Sequence, residues 1–436
     1  MGGSSRPDVQ SLALLNPLMI ACCGVGLLSL RPEQLEGKKS LLAGILFAIL
    51  LVATYLVPIA GQLMNFSGGA GDVATVRAAA DVSAALQLLS MAPAVAWQSL
   101  FFLFAPLAVL LSALQLNRDD MRLSVPLVIA VGAISGLIGV LQLAGGASGP
   151  LYFYDITNDN SAVGLFANRN HAAVFLSCLF PILGVFAARS HATRLGSRNA
   201  RQLIAIAITV VLIPLILVTG SRSGLLTAIT GLIGGALLYT SSGQTQRGSQ
   251  AGMPLPPMLA IAVAVCVVFA TIYLSRAEAI ERIFAENGTA NDRANYWTSG
   301  VTLFWKYFPF GIGPGSFVSA VQADEPVALL SGVYLNRLHN DWLETGLTYG
   351  ALGLPLMLGG VCYYFWRCFH LWFRQDGTRT SAALGRMASV VIAILSIASL
   401  TDYPLRTPAM MGFAVLICVW FIGALPERRS ALETAG

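Results

Sequence analysis

Charge is what this chain of 436 residues lacks. Asp, Glu, Lys and Arg together make up 11% of it, against about 25% in an ordinary soluble domain. So few charges cannot cover a water-facing surface, which excludes a soluble enzyme and a disordered regulator. Cysteine is sparse as well. Of the seven, Cys22, Cys23, Cys178, Cys266, Cys362 and Cys418 fall in apolar runs and Cys368 at the end of one, so a secreted disulfide scaffold is excluded too. Histidine occurs four times and never at metal-type spacing with cysteine, so neither a metal site nor a cofactor is expected. The net charge of +5 is too weak a footprint to suggest a nucleic-acid partner.

What the chain has in abundance is apolar length. Runs of about 20 residues, enough to cross a hydrocarbon core, recur at 12–30, 40–60, 94–116, 123–143, 171–188, 202–218, 224–241, 258–275, 343–366, 384–400 and 409–425. The expected fold is therefore an all-α polytopic membrane protein with about 11–12 transmembrane helices. Its expected divisions are a transmembrane bundle over 1–275, a long periplasmic loop over 276–342 between the eighth and ninth spans, and C-terminal helices with a short cytoplasmic tail over 343–436. Orientation follows from the short loops. The connector 189–201 carries Arg189, Arg194, Arg198 and Arg201 and no acid, so it is placed in the cytoplasm. Alternation then puts a basic excess inside and an acidic one outside. It also puts Met1 outside.

The spans are almost free of charge at mid-depth, unlike ion-coupled transporters. The unusual residues collect at outer span ends and in the long loop. That loop holds an aromatic segment from Tyr296-Trp297 to Phe310, read as a helix on the membrane surface. A glycine-rich stretch, Gly311 to Gly315, then bends the backbone. Four outer junctions each place an arginine at a helix N-terminus: Asn168-Arg169-Asn170-His171, Ser221-Arg222-Ser223-Gly224, Arg337-Leu338-His339-Asn340-Asp341, and Asp402-Tyr403-Pro404-Leu405-Arg406. Helix N-termini attract anions, and arginine's planar fork suits phosphate. A diphosphate at the outer surface is the ligand class these features suit, the plain alternative being arginines paired with local acids or lipid head groups. Asp341 and Glu344 fit a capping box, and Thr407-Pro408 fits a cap followed by proline at the first helical position. His339 and His171 sit outside beside arginines; His191 and His370 lie in inside loops.

The ordered set resembles the O-antigen ligase and polymerase superfamily of bacterial membrane glycosyltransferases. Its most specific element is His339-Asn340-Asp341-Trp342-Leu343-Glu344 followed by Gly346 and Gly350. Arg293 with Tyr296-Trp297, Pro309 to Gly315, and the junctions above support it, over about residues 90–425. The resemblance implies a metal-independent, inverting transfer at the periplasmic face of the inner membrane. The implied donor is a glycan on undecaprenyl diphosphate, and the acceptor a lipid A–core sugar hydroxyl, or a growing glycan in a polymerase. It assigns catalytic roles to His339, Arg222 and Arg293; the junction motifs add Arg169, His171, Arg337, Asn340 and Arg406 as substrate-binding candidates. Family members usually begin inside with one further span, so the side of the N-terminus is the departure to watch. A transporter of lipid-linked oligosaccharide is the reading from another class; it calls for mid-membrane charges and internal repeats that the sequence lacks.

Overall fold

The computed structural model describes residues 2–6, 8–30, 93–116, 118–146, 149–188, 198–243, 289–324, 335–374 and 379–423. The expected spans at 40–60 and 258–275 lie outside the described residues. Every regular element described is helical. In chain order they are α1 (Leu12–Ser29), α2 (Pro93–Phe102), α3 (Phe104–Gln115), α4 (Arg118–Gly145), α5 (Arg169–Ala188), α6 (Arg198–Val218), α7 (Arg222–Gly243), α8 (Thr289–Tyr307), α9 (Phe317–Asp324), α10 (Asp341–Phe369), α11 (Arg379–Ala398) and α12 (Pro408–Gly423). Seven helical segments among the described residues are long and apolar enough to cross a membrane, Gln98–Gln115 of α2 and α3 counting as one, and the apolar parts of α11 (Ala382–Ala398) and α12 (Pro408–Gly423) are shorter. The protein is an all-α polytopic membrane protein.

The bundle is built around α5. Of its 20 residues, 17 are buried, and its neighbours are α4, α6, α7 and α11, with Phe413 of α12 edge-on to Phe175 (ring centroids 5.2 Å). Glycine sets the closest approach. A Cβ at Gly224 would lie 2.5 Å from the Ala173 methyl, one at Gly231 2.5 Å from the Ser177 carbonyl oxygen, and one at Gly235 2.7 Å from the Phe180 carbonyl oxygen. Small residues let backbones meet where lipid supplies no hydrophobic drive for helix association. Because these pairs advance together along both chains, α5 and α7 run parallel and their N-termini share one face. Leu127, Leu137, Leu203, Val211, Leu237 and Leu358 point outward and exposed, as lipid-facing side chains do.

The long loop folds back as a second apolar body. Leu303, Ile312, Phe317, Ala320, Leu338 and Leu347 form its core, with Tyr296, Trp297 and Phe304 packed against it. The aromatic segment is helical as expected, but the helix begins at Thr289 and ends at Tyr307. The glycine stretch does more than bend. At Gly350 (φ 54°, ψ −138°) α10 breaks, and the loop plugs the gap. Ile312 N–H donates to the Leu347 carbonyl (3.0 Å), Gly313 N–H to the Thr348 carbonyl (3.1 Å), and Ala351 N–H to the Pro309 carbonyl (2.7 Å). A broken membrane helix is tolerated where protein satisfies its freed groups. Both Gly311 (φ 78°) and Gly350 need left-handed backbone, and a Cβ on Gly350 would collide with the Pro309 carbonyl.

Candidate active site

One face of the bundle gathers the N-termini of α5, α7, α10 and α12, the C-terminus of α11 and residues 2–6. Asp341 N–H donates to the Ser399 carbonyl (2.9 Å), Ala409 N–H to the Gly2 carbonyl (3.0 Å), and Ala167 N–H to the Gly3 carbonyl (3.1 Å). The N-terminal residues therefore sit on the face that carries His339.

At the centre of this face is Asp402, 1% exposed. Its carboxylate accepts from the Asn170 amide (2.6 Å) and from Tyr403 N–H (3.0 Å). His339 Nδ1 lies 3.2 Å from Oδ1 and His171 Nε2 3.9 Å from the same oxygen. Tyr403 stands edge-on to both imidazoles, with ring centroids 4.8 Å from His339 and 5.0 Å from His171. Burial alone would raise the Asp402 pKa. The hydrogen bond from His339, the charges of His171 and His339, and the Asn170 amide outweigh it and hold the acid down at about 2. Burial and the neighbouring Asp402 charge push the Tyr403 phenol up to about 12. The His339 backbone is left-handed, φ 53°, a conformation histidine tolerates better than most residues. That twist turns the ring toward Asp402 just before Asn340 starts the helix.

The start of α10 corrects the capping reading. The cap is Asn340, whose Oδ1 accepts Leu343 N–H at 3.0 Å, so the box does not begin at Asp341. Glu344 still reaches back, to Leu338 N–H (3.0 Å) and to Arg337 Nη1 (3.0 Å). Asp341 instead takes Arg406 Nε (2.9 Å) and the Ser399 hydroxyl (3.2 Å). Arg406 Nη1 lies 3.8 Å from the Glu344 oxygen that Arg337 also meets. Two arginines and two buried acids thus form one compensated cluster. Burial would lower the Arg406 pKa, but Glu344 and Asp341 drive it upward, so it stays charged. Thr407 caps α12 as expected, accepting Met410 N–H at 3.3 Å.

Arg337, His339, Asn340 and Arg406 are therefore brought together, with His171 1% exposed beneath Tyr403. Arg169 opens α5, its N–H donating to the Asn158 side chain (3.0 Å). Arg222 is exposed at the start of α7, where Ser221 Oγ accepts Gly224 N–H (2.9 Å). Arg293 lies on α8, three and four positions before Tyr296 and Trp297; a Cβ at Gly300 of that helix would come within 2.7 Å of the Leu338 side chain. Sequence reasoning passed over Asp402 and Asn170 as site residues, although both stand inside motifs it had marked.

Residues 205–358 match the protein family described as O-antigen ligase. Over that stretch the chain is similar to that family. The O-antigen ligase match spans Arg222, Arg293, Arg337, His339 and Asn340 and stops short of Arg169, His171, Asp402 and Arg406. A comparison with curated proteins found no match.

Proposed function

We propose that the protein transfers a glycan from undecaprenyl diphosphate to a sugar hydroxyl of lipid A–core, at the periplasmic face of the bacterial inner membrane. The carrying observation is the His339–Asp402 pair. With Nδ1 engaged on a carboxylate that stays ionised above about pH 2, the imidazole keeps Nε2 for a hydroxyl, and its side chain is 23% exposed. A carboxylate behind a histidine both orients the ring and favours the imidazolium formed when it takes a proton.

The reaction is a single displacement. The acceptor oxygen attacks the anomeric carbon as His339 Nε2 takes its proton. The bond from that carbon to the diphosphate breaks, and undecaprenyl diphosphate leaves with the electron pair. Attack opposite the leaving group inverts the anomeric centre. Arg222 and Arg293 are assigned to the diphosphate, whose developing charge they stabilise. Arg337 and Arg406, already matched by Glu344 and Asp341, chiefly shape the floor of the site. Arg169 and Asn340 border the acceptor, and His171 lies behind Asp402.

The test is a host deletion complemented by variants, with lipopolysaccharide and undecaprenyl-linked glycans run on gels. Loss should leave bare lipid A–core and polymer stranded on its carrier. Core capped by a single repeat would assign polymerase chemistry instead. His339→Asn keeps a side chain that tolerates left-handed backbone and should be present at normal levels but inactive, as should Arg222→Ala. Transfer at wild-type level by either variant overturns the proposal.

A further inference from the structure

Ahead of α1, Ser4 and Ser5 of the short stretch Gly-Gly-Ser-Ser are only 5% and 8% exposed. The backbone of this short piece reaches three separate segments. The Gly2 carbonyl accepts Ala409 N–H (3.0 Å), on the first turn of α12, where helical donors lack partners within the helix. Gly3 N–H donates to the Tyr154 phenol (2.8 Å), and its carbonyl accepts Ala167 N–H (3.1 Å). The Ser5 carbonyl accepts from Arg337 Nη2 (3.5 Å).

Those three segments are the ones that converge on Asp402. Ala167 leads directly into Asn170 and His171. Arg337 stands two residues before His339. Ala409 follows the turn that carries Asp402 and Arg406. The fit has no slack at Gly3, where a Cβ would collide with the Leu165 carbonyl and come within 2.8 Å of the Tyr154 oxygen and 2.9 Å of Phe166 Cα.

We propose that Gly2–Ser5 is a positioning element for transfer: it ties the segments bearing Asn170, His339 and Asp402 into one register and so fixes the geometry of the base. The inference rests on the glycan-transfer reading. Its mechanism is orientational, and misplacement of a reacting group by about 1 Å can cost on the order of 100-fold in rate.

The experiment uses the full chain in nanodiscs. Gly3→Val drives a side chain into the Leu165 carbonyl. Tyr154→Phe removes the phenol with no added volume and serves if Gly3→Val fails to fold. Asp8→Asn, at an exposed position on the same piece, is the control. Tyr154→Phe should lower kcat about 5- to 10-fold and Gly3→Val further. Affinity for undecaprenyl diphosphate should stay within about twofold and the melting temperature of Tyr154→Phe near wild type, while the pH–rate profile shifts because the His339–Asp402 distance changes. Wild-type kcat with an unmoved profile in both variants overturns the proposal, as does a loss of rate explained by lost donor affinity or lost folded protein. If His339→Asn is itself active, the transfer reading fails. If His339→Asn is inactive while both variants run at wild-type kcat, only the positioning role fails.

Discussion

Replacing Asp402 by asparagine asks whether the carboxylate behind His339 matters to the chemistry. The Asp402 oxygen lies 3.2 Å from His339 Nδ1. A full imidazolium there would gain about 5 kcal/mol from the carboxylate at an effective dielectric near 20. With the proton half transferred in the transition state, about 2.5 kcal/mol is at stake, or on the order of 100-fold in kcat. The variant keeps an oxygen able to accept Tyr403 N–H and an amide of nearly the same shape, so donor affinity and protein level should hold. The assay is transfer by purified protein at saturating donor, with undecaprenyl diphosphate binding measured alongside. Retention of more than half the wild-type kcat would refute the reasoning, and so would a kcat loss matched by a loss of binding. A pH dependence accompanies it. A carboxyl whose pKa falls on folding contributes stability that is fully present above its ordinary value of about 3.9. That contribution is lost as pH drops through about 2. The melting temperature of wild type should therefore decline more steeply below pH 4 than that of Asp402→Asn.

Arg406→Ala should act through stability, because it leaves Asp341 and the 1%-exposed Glu344 short of a partner; breaking such a buried pair costs about 3–5 kcal/mol. Adding Asp341→Asn should recover part of the folded yield, read by fluorescence-detected size exclusion. Gly350→Ala should cost a few kcal/mol, since a methyl there meets the Pro309 carbonyl. It should also lower transfer more than it lowers protein level, because the loop it displaces follows the helix bearing Arg293.

Much of the bundle was legible because a helix crossing lipid must be apolar for its whole length, and each described span matches a run visible in the chain. Gathering of helix N-termini on one face was legible for a similar reason: loop charge sets the direction of each span, and direction sets which ends meet. Partner choice was not legible. Arg406 meets Asp341 across 65 positions and Asn170 meets Asp402 across 232, and nothing local marks one acid as the centre and another as a counter-ion. The capping box slipped by one residue because Asn340 and Asp341 are both good caps and only the left-handed turn at His339 selects the first. The break at Gly350 was hidden in a continuous apolar run, since its satisfaction comes from a loop some 40 positions upstream. The contacts of the N-terminal piece were not legible because they are made by backbone, which composition does not report.

The enclosure of α5 bears on how the protein is made. This helix ends with 17 of its 20 residues covered by protein, yet two of the helices that cover it, α7 and α11, are synthesised after it. It enters the bilayer before those two helices exist to cover it. Its apolar character thus answers to membrane insertion, and the finished contacts would tolerate more polarity than the nascent chain can. A polar substitution at Ser177's neighbours on α5 would be expected to fail during biosynthesis, in pulse-labelled insertion, before any defect showed in the assembled protein. The helix that organises the site is also the one whose composition is set by a stage at which the site does not yet exist.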